Sequence, residues 1–189
     1  MSPLAQTVTS FLGIGTFLAD VLIIVFLVLL LLRSKRHENP RLHRTLDFLE
    51  GRAIVFAFAL TLTATLSSLF YSRIAGLPPC SLCWIQRLLL FPQVLFLGIA
   101  WWFEKHHLVK YSAGLSVLGM IVSAYQSYLQ FGGSAHIFCD VISNGVSCAQ
   151  RYFLELGYIT MPVMSFTIFA LLFLLTFHFH PHTYRRKDS

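Results

Sequence analysis

The chain has 189 residues, 56% of them apolar and only 12% charged, with a mean hydropathy of +0.69. That leaves too few polar side chains to clothe a soluble globule. The formal net charge of +6 does not mark a nucleic-acid-binding protein, because the basic residues stand between long apolar runs and form no patch on a soluble domain.

Five apolar runs reach, or nearly reach, the roughly 20 residues a spanning helix needs: Phe11 to Leu32, Ala53 to Tyr71, Trp84 to Phe103, Tyr111 to Phe131 and Ile159 to Phe179. They predict an all-α integral membrane protein, a four-helix transmembrane bundle plus one additional N-terminal transmembrane helix. Met1 to Ser10 has no Lys or Arg, and the first run exceeds the ~7 to 15 residues of a signal-peptide core, so that helix is expected to stay in the mature protein. Asp20 is the only charge in it, and an intramembrane acid is a functional candidate by default. The rise from Asp20 to Leu32, about 18 Å at 1.5 Å per residue, places it in the outer half of the bilayer, where an interfacial or bundle-facing structural role is the plainer reading.

Arg33 to Gly51 reads as a polar, basic linker that divides an N-terminal unit, residues 1–50, from a four-helix core, residues 51–189. Eleven of the fourteen Lys and Arg fall on one side: in this linker and at Arg52 just after it, at Lys105 and Lys110, and at Arg185, Arg186 and Lys187. The bias predicts a cytoplasmic C-terminus and an outward N-terminus. The linker's charge suits anionic headgroups, although ordinary positive-inside anchoring accounts for it.

All four cysteines, Cys80, Cys83, Cys139 and Cys148, lie in or at the edge of the two outward loops, where disulfides persist. Four cysteines allow three connectivities; Cys80–Cys83 and Cys139–Cys148 would each close a short loop, and two pairs at one end of a bundle can exchange. Pro78 and Pro79 force an extended approach to Cys80, and the apolar run from Trp84 is helical, which puts the Cys-x-x-Cys near a helix N-terminus where thiolates are favoured. Arg87 follows Cys83 by four residues, one turn deeper on the same face. It either supports a Cys83 thiolate or an anionic ligand, or simply snorkels to the interface.

A c-type haem site would need His after the second cysteine, where Trp84 stands. A four-cysteine zinc site pairs Cys-x-x-Cys with another close pair, whereas Cys139 and Cys148 are nine positions apart. No metal is expected there, nor at His178, His180 and His182, which read as the end of a helix beside Pro181. Trp101, Trp102 and Tyr111 fit an aromatic belt. Gln150 to Tyr158 suits a short interfacial helix, with loop packing as the alternative. Gln86, Tyr125 and Gln126 are given no role, because polar residues inside a bundle often only join helices.

PCSLCWIQRLLLFP and VSCAQRYFLELGYITMP together resemble the bacterial disulfide-bond formation protein B family (DsbB), its BdbC-like branch most closely, over about Gly51 to Phe179. The order of elements, Cys-x-x-Cys first, separates the chain from the vitamin K epoxide reductase family. The extra N-terminal helix and the short Cys139–Cys148 spacing depart from the family pattern. The resemblance implies a multi-pass protein of the bacterial cytoplasmic membrane, a thiol:quinone oxidoreductase that reoxidises an extracytoplasmic, DsbA-like thioredoxin-fold oxidase and passes electrons to ubiquinone or menaquinone in the lipid. It implies catalytic roles for Cys80, Cys83, Cys139 and Cys148, with Cys83 the thiolate at the quinone and Arg87 beside a quinone oxygen. Cys139 would meet the partner's thiolate, and Cys148 would exchange with Cys80. Two rivals stay open: a structural bundle braced by two disulfides, and the same architecture run as a reductase, since direction depends on potentials.

Overall fold

A computed structural model describes residues 3–33, 40–103, 107–133, 147–152, 154–155 and 157–178; for residues 3–5, 26, 29–33, 40–51 and 178 it describes the backbone alone. Five helices follow in order: α1 (Pro3–Arg33), α2 (Pro40–Arg73), α3 (Ser81–Trp102), α4 (Leu108–Gln130) and α5 (Met161–His178). Four carry spans long and apolar enough to cross a membrane, Gln6–Val25, Arg52–Arg73, Ser81–Trp102 and Leu108–Gln130, and the shorter Met161–Phe177 is apolar throughout. The chain is a multi-pass, all-helical membrane protein. The expected linker is helical from Pro40, so α2 rises through its second half. The run expected from Ile159 starts its helix at Met161, with Pro162 in the first turn, where a missing N–H costs nothing.

The four-helix core is a closed ring. α4 packs on α3 and α5, α2 packs on the same two helices, and α1 leans on α5 from outside. Small residues make this closeness possible. Ser112, Ser116, Gly119 and Ser123 recur at helical spacing along the buried face of α4, and small faces let helices approach where lipid supplies no hydrophobic drive. A Cβ on Gly119 would stand 2.5 Å from the Phe169 ring of α5. Ala57, Ala64, Leu90, Leu97, Phe169 and Leu172 fill the centre of the ring.

Two of the buried hydroxyls find acceptors within their own helices, as an apolar solvent favours: Thr61 Oγ1 donates to the Ala57 carbonyl at 2.8 Å and Thr176 Oγ1 to that of Leu172 at 2.6 Å. The outward faces are apolar, Leu88 being 72% exposed and Leu95 65%, which suits contact with lipid. Trp101, Trp102 and Tyr111 are exposed at the end of the ring away from Cys80 and Cys83, where an aromatic belt belongs.

Candidate functional site

The dithiol is built by the way α2 stops and α3 starts. α2 closes with the Ala75 N–H on the Phe70 carbonyl and the Leu77 N–H on that of Tyr71, both at 3.0 Å. Gly76 sits at φ +68°, a conformation glycine enters without strain. Pro78 and Pro79 then run extended to Cys80, the N-cap of α3. The Trp84 N–H meets the Cys80 carbonyl at 3.1 Å, so Cys83 lies in the first helical turn, as the sequence leads one to expect.

The Cys80 and Cys83 sulfurs are 3.0 Å apart. Gln126 of α4 reaches both, its Nε2 donating to each sulfur at 3.3 Å. An amide nitrogen has two protons, enough for two sulfurs. The Gln126 carbonyl oxygen accepts from Gln86 Nε2 at 2.8 Å, which fixes the amide's orientation. Both glutamines are buried. The bond to Cys83, together with burial, pushes the Cys80 thiol up from its ordinary value.

Arg87 is buried and does not snorkel outward. Its Nε donates to Ser68 Oγ and its Nη2 to the Ser68 carbonyl, both at 2.8 Å, and the guanidinium lies 5.5 Å from the centre of the Trp84 ring. Cys83, Gln86, Arg87 and Gln126 share the lining of one cavity of about 340 Å³ between α1, α2, α3 and α5, within the range of small-molecule sites. Its other walls are largely apolar, among them Leu60, Ala64, Leu90, Met164 and Ile168.

The segment after α4 folds onto this mouth. Cys148 is buried in one cluster with Cys80, Leu82 and Leu129, the juxtaposition a thiol–disulfide relay needs. Gln130 Nε2 donates to the Gln150 carbonyl at 3.0 Å, and the Tyr152 hydroxyl donates to that of Pro78 at 3.0 Å. Tyr152 also lines the cavity. The expected interfacial helix over Gln150 to Tyr158 is absent among the described residues: Glu155 and Ile159 exchange a pair of antiparallel backbone bonds around a turn at Gly157, φ +83°. Loop packing wins because the segment's polar backbone finds partners in that bridge. Cys139, His180 and His182 lie outside the described residues, as does the side chain of His178.

Residues 50–179 match the family described as disulfide bond formation protein DsbB. The chain belongs to this family. It is 36% identical over 125 residues to a probable disulfide formation protein C 2 of Bacillus anthracis, covering 66% of this chain and 87% of that protein. It is 38% identical over 116 residues to the SPbeta prophage-derived disulfide bond formation protein B of Bacillus subtilis, covering 61% and 77%. A probable disulfide formation protein of Chlamydia caviae is 36% identical over 124 residues, 65% of this chain and 88% of the relative. No solved structure matches. The family is one of disulfide bond formation proteins.

Sequence reasoning had set aside Gln86 and Gln126, and it missed Ser68 and Tyr152. Gln86 stands four residues before Leu90 and six after Cys80, inside the family-like motif, and that proximity was the one available signal.

Proposed function

We propose that the chain is a thiol:quinone oxidoreductase of the bacterial cytoplasmic membrane, reoxidising an extracytoplasmic, DsbA-like thioredoxin-fold protein and delivering the electrons to ubiquinone or menaquinone. The observation that carries this reading is the Cys80–Cys83 pair at the mouth of an apolar cavity floored by a buried arginine. Residues 51–189 would be the catalytic core and residues 1–50 an added unit. The lysine and arginine bias supports an outward N-terminus and cysteine loops outside the cytoplasm.

The residues present fit a quinone. A flat, mostly apolar headgroup needs a dry slot and hydrogen-bond donors at its oxygens. The cavity supplies the slot, and Arg87 uses Nε and Nη2 on Ser68 with no acceptor on Nη1 among the described residues. Arg87 and Cys83 would hold the ring. When bound, a quinone would supply a two-electron, two-proton acceptor, so that Cys80 and Cys83 would return to a disulfide.

The chain's own chemistry is exchange between sulfurs. The partner's thiolate attacks Cys139 of a Cys139–Cys148 disulfide, and Cys148 leaves as a thiolate. Cys148 attacks Cys80 of the Cys80–Cys83 disulfide, and Cys83 leaves with the charge. The partner's second thiol displaces Cys139, which then attacks Cys148 and frees Cys80. The partner has lost two electrons, and Cys80 with Cys83 has gained them. Gln126, bonded to both sulfurs, would keep them together through the cycle and support negative charge on whichever leaves.

The test is quinone reduction by the detergent-purified protein given a reduced thioredoxin-fold dithiol protein, beside Cys83→Ser and Cys139→Ser. Turnover in the wild type and none in either variant is expected. No turnover with short-chain ubiquinone or menaquinone analogues would overturn the reading in favour of a braced scaffold.

A further inference from the structure

We propose that α1, which lies outside the family match, is the outer wall of the quinone site, and that Asp20 is the positioning residue that holds it there. The inference rests on the quinone reading above and deepens it.

α1 touches the core at three levels. Near its start the Tyr71 hydroxyl of α2 donates to Thr9 Oγ1 at 3.0 Å, a buried bond. One turn on, Gly13 lies against the loop: an added Cβ would stand 3.3 Å from Glu155 Cβ, and Ser10 Oγ is 3.5 Å from Glu155 Oε1. Deeper, Asp20 accepts from Thr167 Oγ1 of α5 at 2.6 Å on one carboxylate oxygen and from the Tyr158 hydroxyl at 3.1 Å on the other. A carboxylate inside an apolar span is costly unless donors satisfy it. Asp20 sits within the apolar stretch Gln6–Val25 and has both oxygens met by the core, so it binds the helix to α5.

Between these attachments Leu12, Gly15, Thr16 and Ala19, one helical face, line the same cavity as Cys83 and Arg87. The opposite face is apolar and open, Ile14 being 55% exposed and Val21 41%. α1 thus stands between the cavity and lipid. Gly15 confirms the geometry, because nothing lies within 4 Å of a Cβ placed on it. A side chain there starts into open space.

The experiment uses the full chain in lipid nanodiscs and a short-chain azidobenzoquinone as photoprobe, with labelled peptides mapped by mass spectrometry. In the wild type the label is expected on the α1 peptide containing residues 11–19 as well as on the core. Gly15→Phe should reduce labelling at least tenfold and raise KM for the quinone. Gly114→Phe, the same change at an exposed glycine on α4 with nothing within 4 Å, should alter neither. Asp20→Leu should lose the α1 label, and Asp20→Asn, which keeps one accepting oxygen, should retain most of it. Label confined to the core, with Gly15→Phe behaving as wild type, would overturn the wall and leave the quinone reading standing. A wild type that is neither labelled nor active with any quinone would overturn both.

Discussion

Two buried glutamines seven residues apart on α3 face the same partner helix and end in different chemistry. Gln93 accepts from Ser112 Oγ at 2.9 Å and Ser116 Oγ at 3.2 Å, and donates to the Leu89 carbonyl at 3.1 Å. It is 0% exposed, as are both serines. Every polar group there is spoken for, and the result is glue between α3 and α4. Gln86, two turns nearer the outer end, bonds Gln126, which bonds two sulfurs, and both amides line a cavity. A polar contact between helices becomes a site when it ends on a reactive atom beside open space.

The comparison breaks most sharply at sulfur. Cys83→Ser is expected to abolish quinone reduction, measured by quinone absorbance, whereas no substitution at Gln93, Ser112 or Ser116 that still folds should do so. Arg87→Met comes next. Removing a charged donor from a buried hydrogen bond costs about 1.5–3 kcal/mol, so quinone affinity should fall roughly 10- to 150-fold, read as a rise in KM. Arg87→Lys should recover little of it, because an ammonium cannot hold Ser68 through two parallel bonds.

The matched pair comes third. Gln126→Leu should slow turnover about tenfold, the equivalent of ~1.4 kcal/mol for one set of hydrogen bonds, with a small change in unfolding midpoint. Gln93→Leu should do the reverse, costing about 1–2 kcal/mol of stability by leaving Ser112 short of its acceptor, Ser116 keeping the Ser112 carbonyl, with kcat/KM held within about twofold. Equal losses of activity in both variants would mean the two networks act as one, and the distinction would be gone.

Much of this site was legible because its signals are local. Pro78, Pro79, Cys80, Cys83 and Arg87 lie within ten consecutive positions, and proline geometry, helix spacing and apolar periodicity suffice to place the dithiol at a helix start with the arginine one turn below. Gln126 was not legible. It lies 40 positions from Gln86, and in sequence it looks the same as Gln93: an amide in an apolar helix, more often glue than machinery. α1 was unreadable for a related reason. A helix apolar on every side carries no stripe to say which face is buried, so its cavity-facing residues emerge only once Asp20 is seen on Thr167 and Tyr158. Tyr152 was hidden by a plausible helix whose backbone instead pairs Glu155 with Ile159.

The smallest effect concerns the proton within the dithiol, and it separates two explanations of why Cys80 should be slow to react. Gln126 stands 3.3 Å from both sulfurs and cannot tell them apart, whereas the bond to Cys83 and burial together push the Cys80 thiol up. A thiol with a raised value stays protonated at neutral pH, and only the thiolate alkylates. Iodoacetamide modification of Cys80 in the reduced protein, followed by peptide mass spectrometry, should therefore be slow at pH 7 and climb about tenfold per pH unit to pH 9 without levelling, since the thiolate fraction of an acid far below its pKa rises in that proportion. Slow modification by itself would follow from burial blocking the reagent, but restricted access only scales the rate and would leave it levelling near the ordinary thiol value of about 8.5. A rate that levels below pH 8 would place the proton elsewhere and remove the asymmetry on which the proposed relay relies, Cys80 attacked and Cys83 leaving.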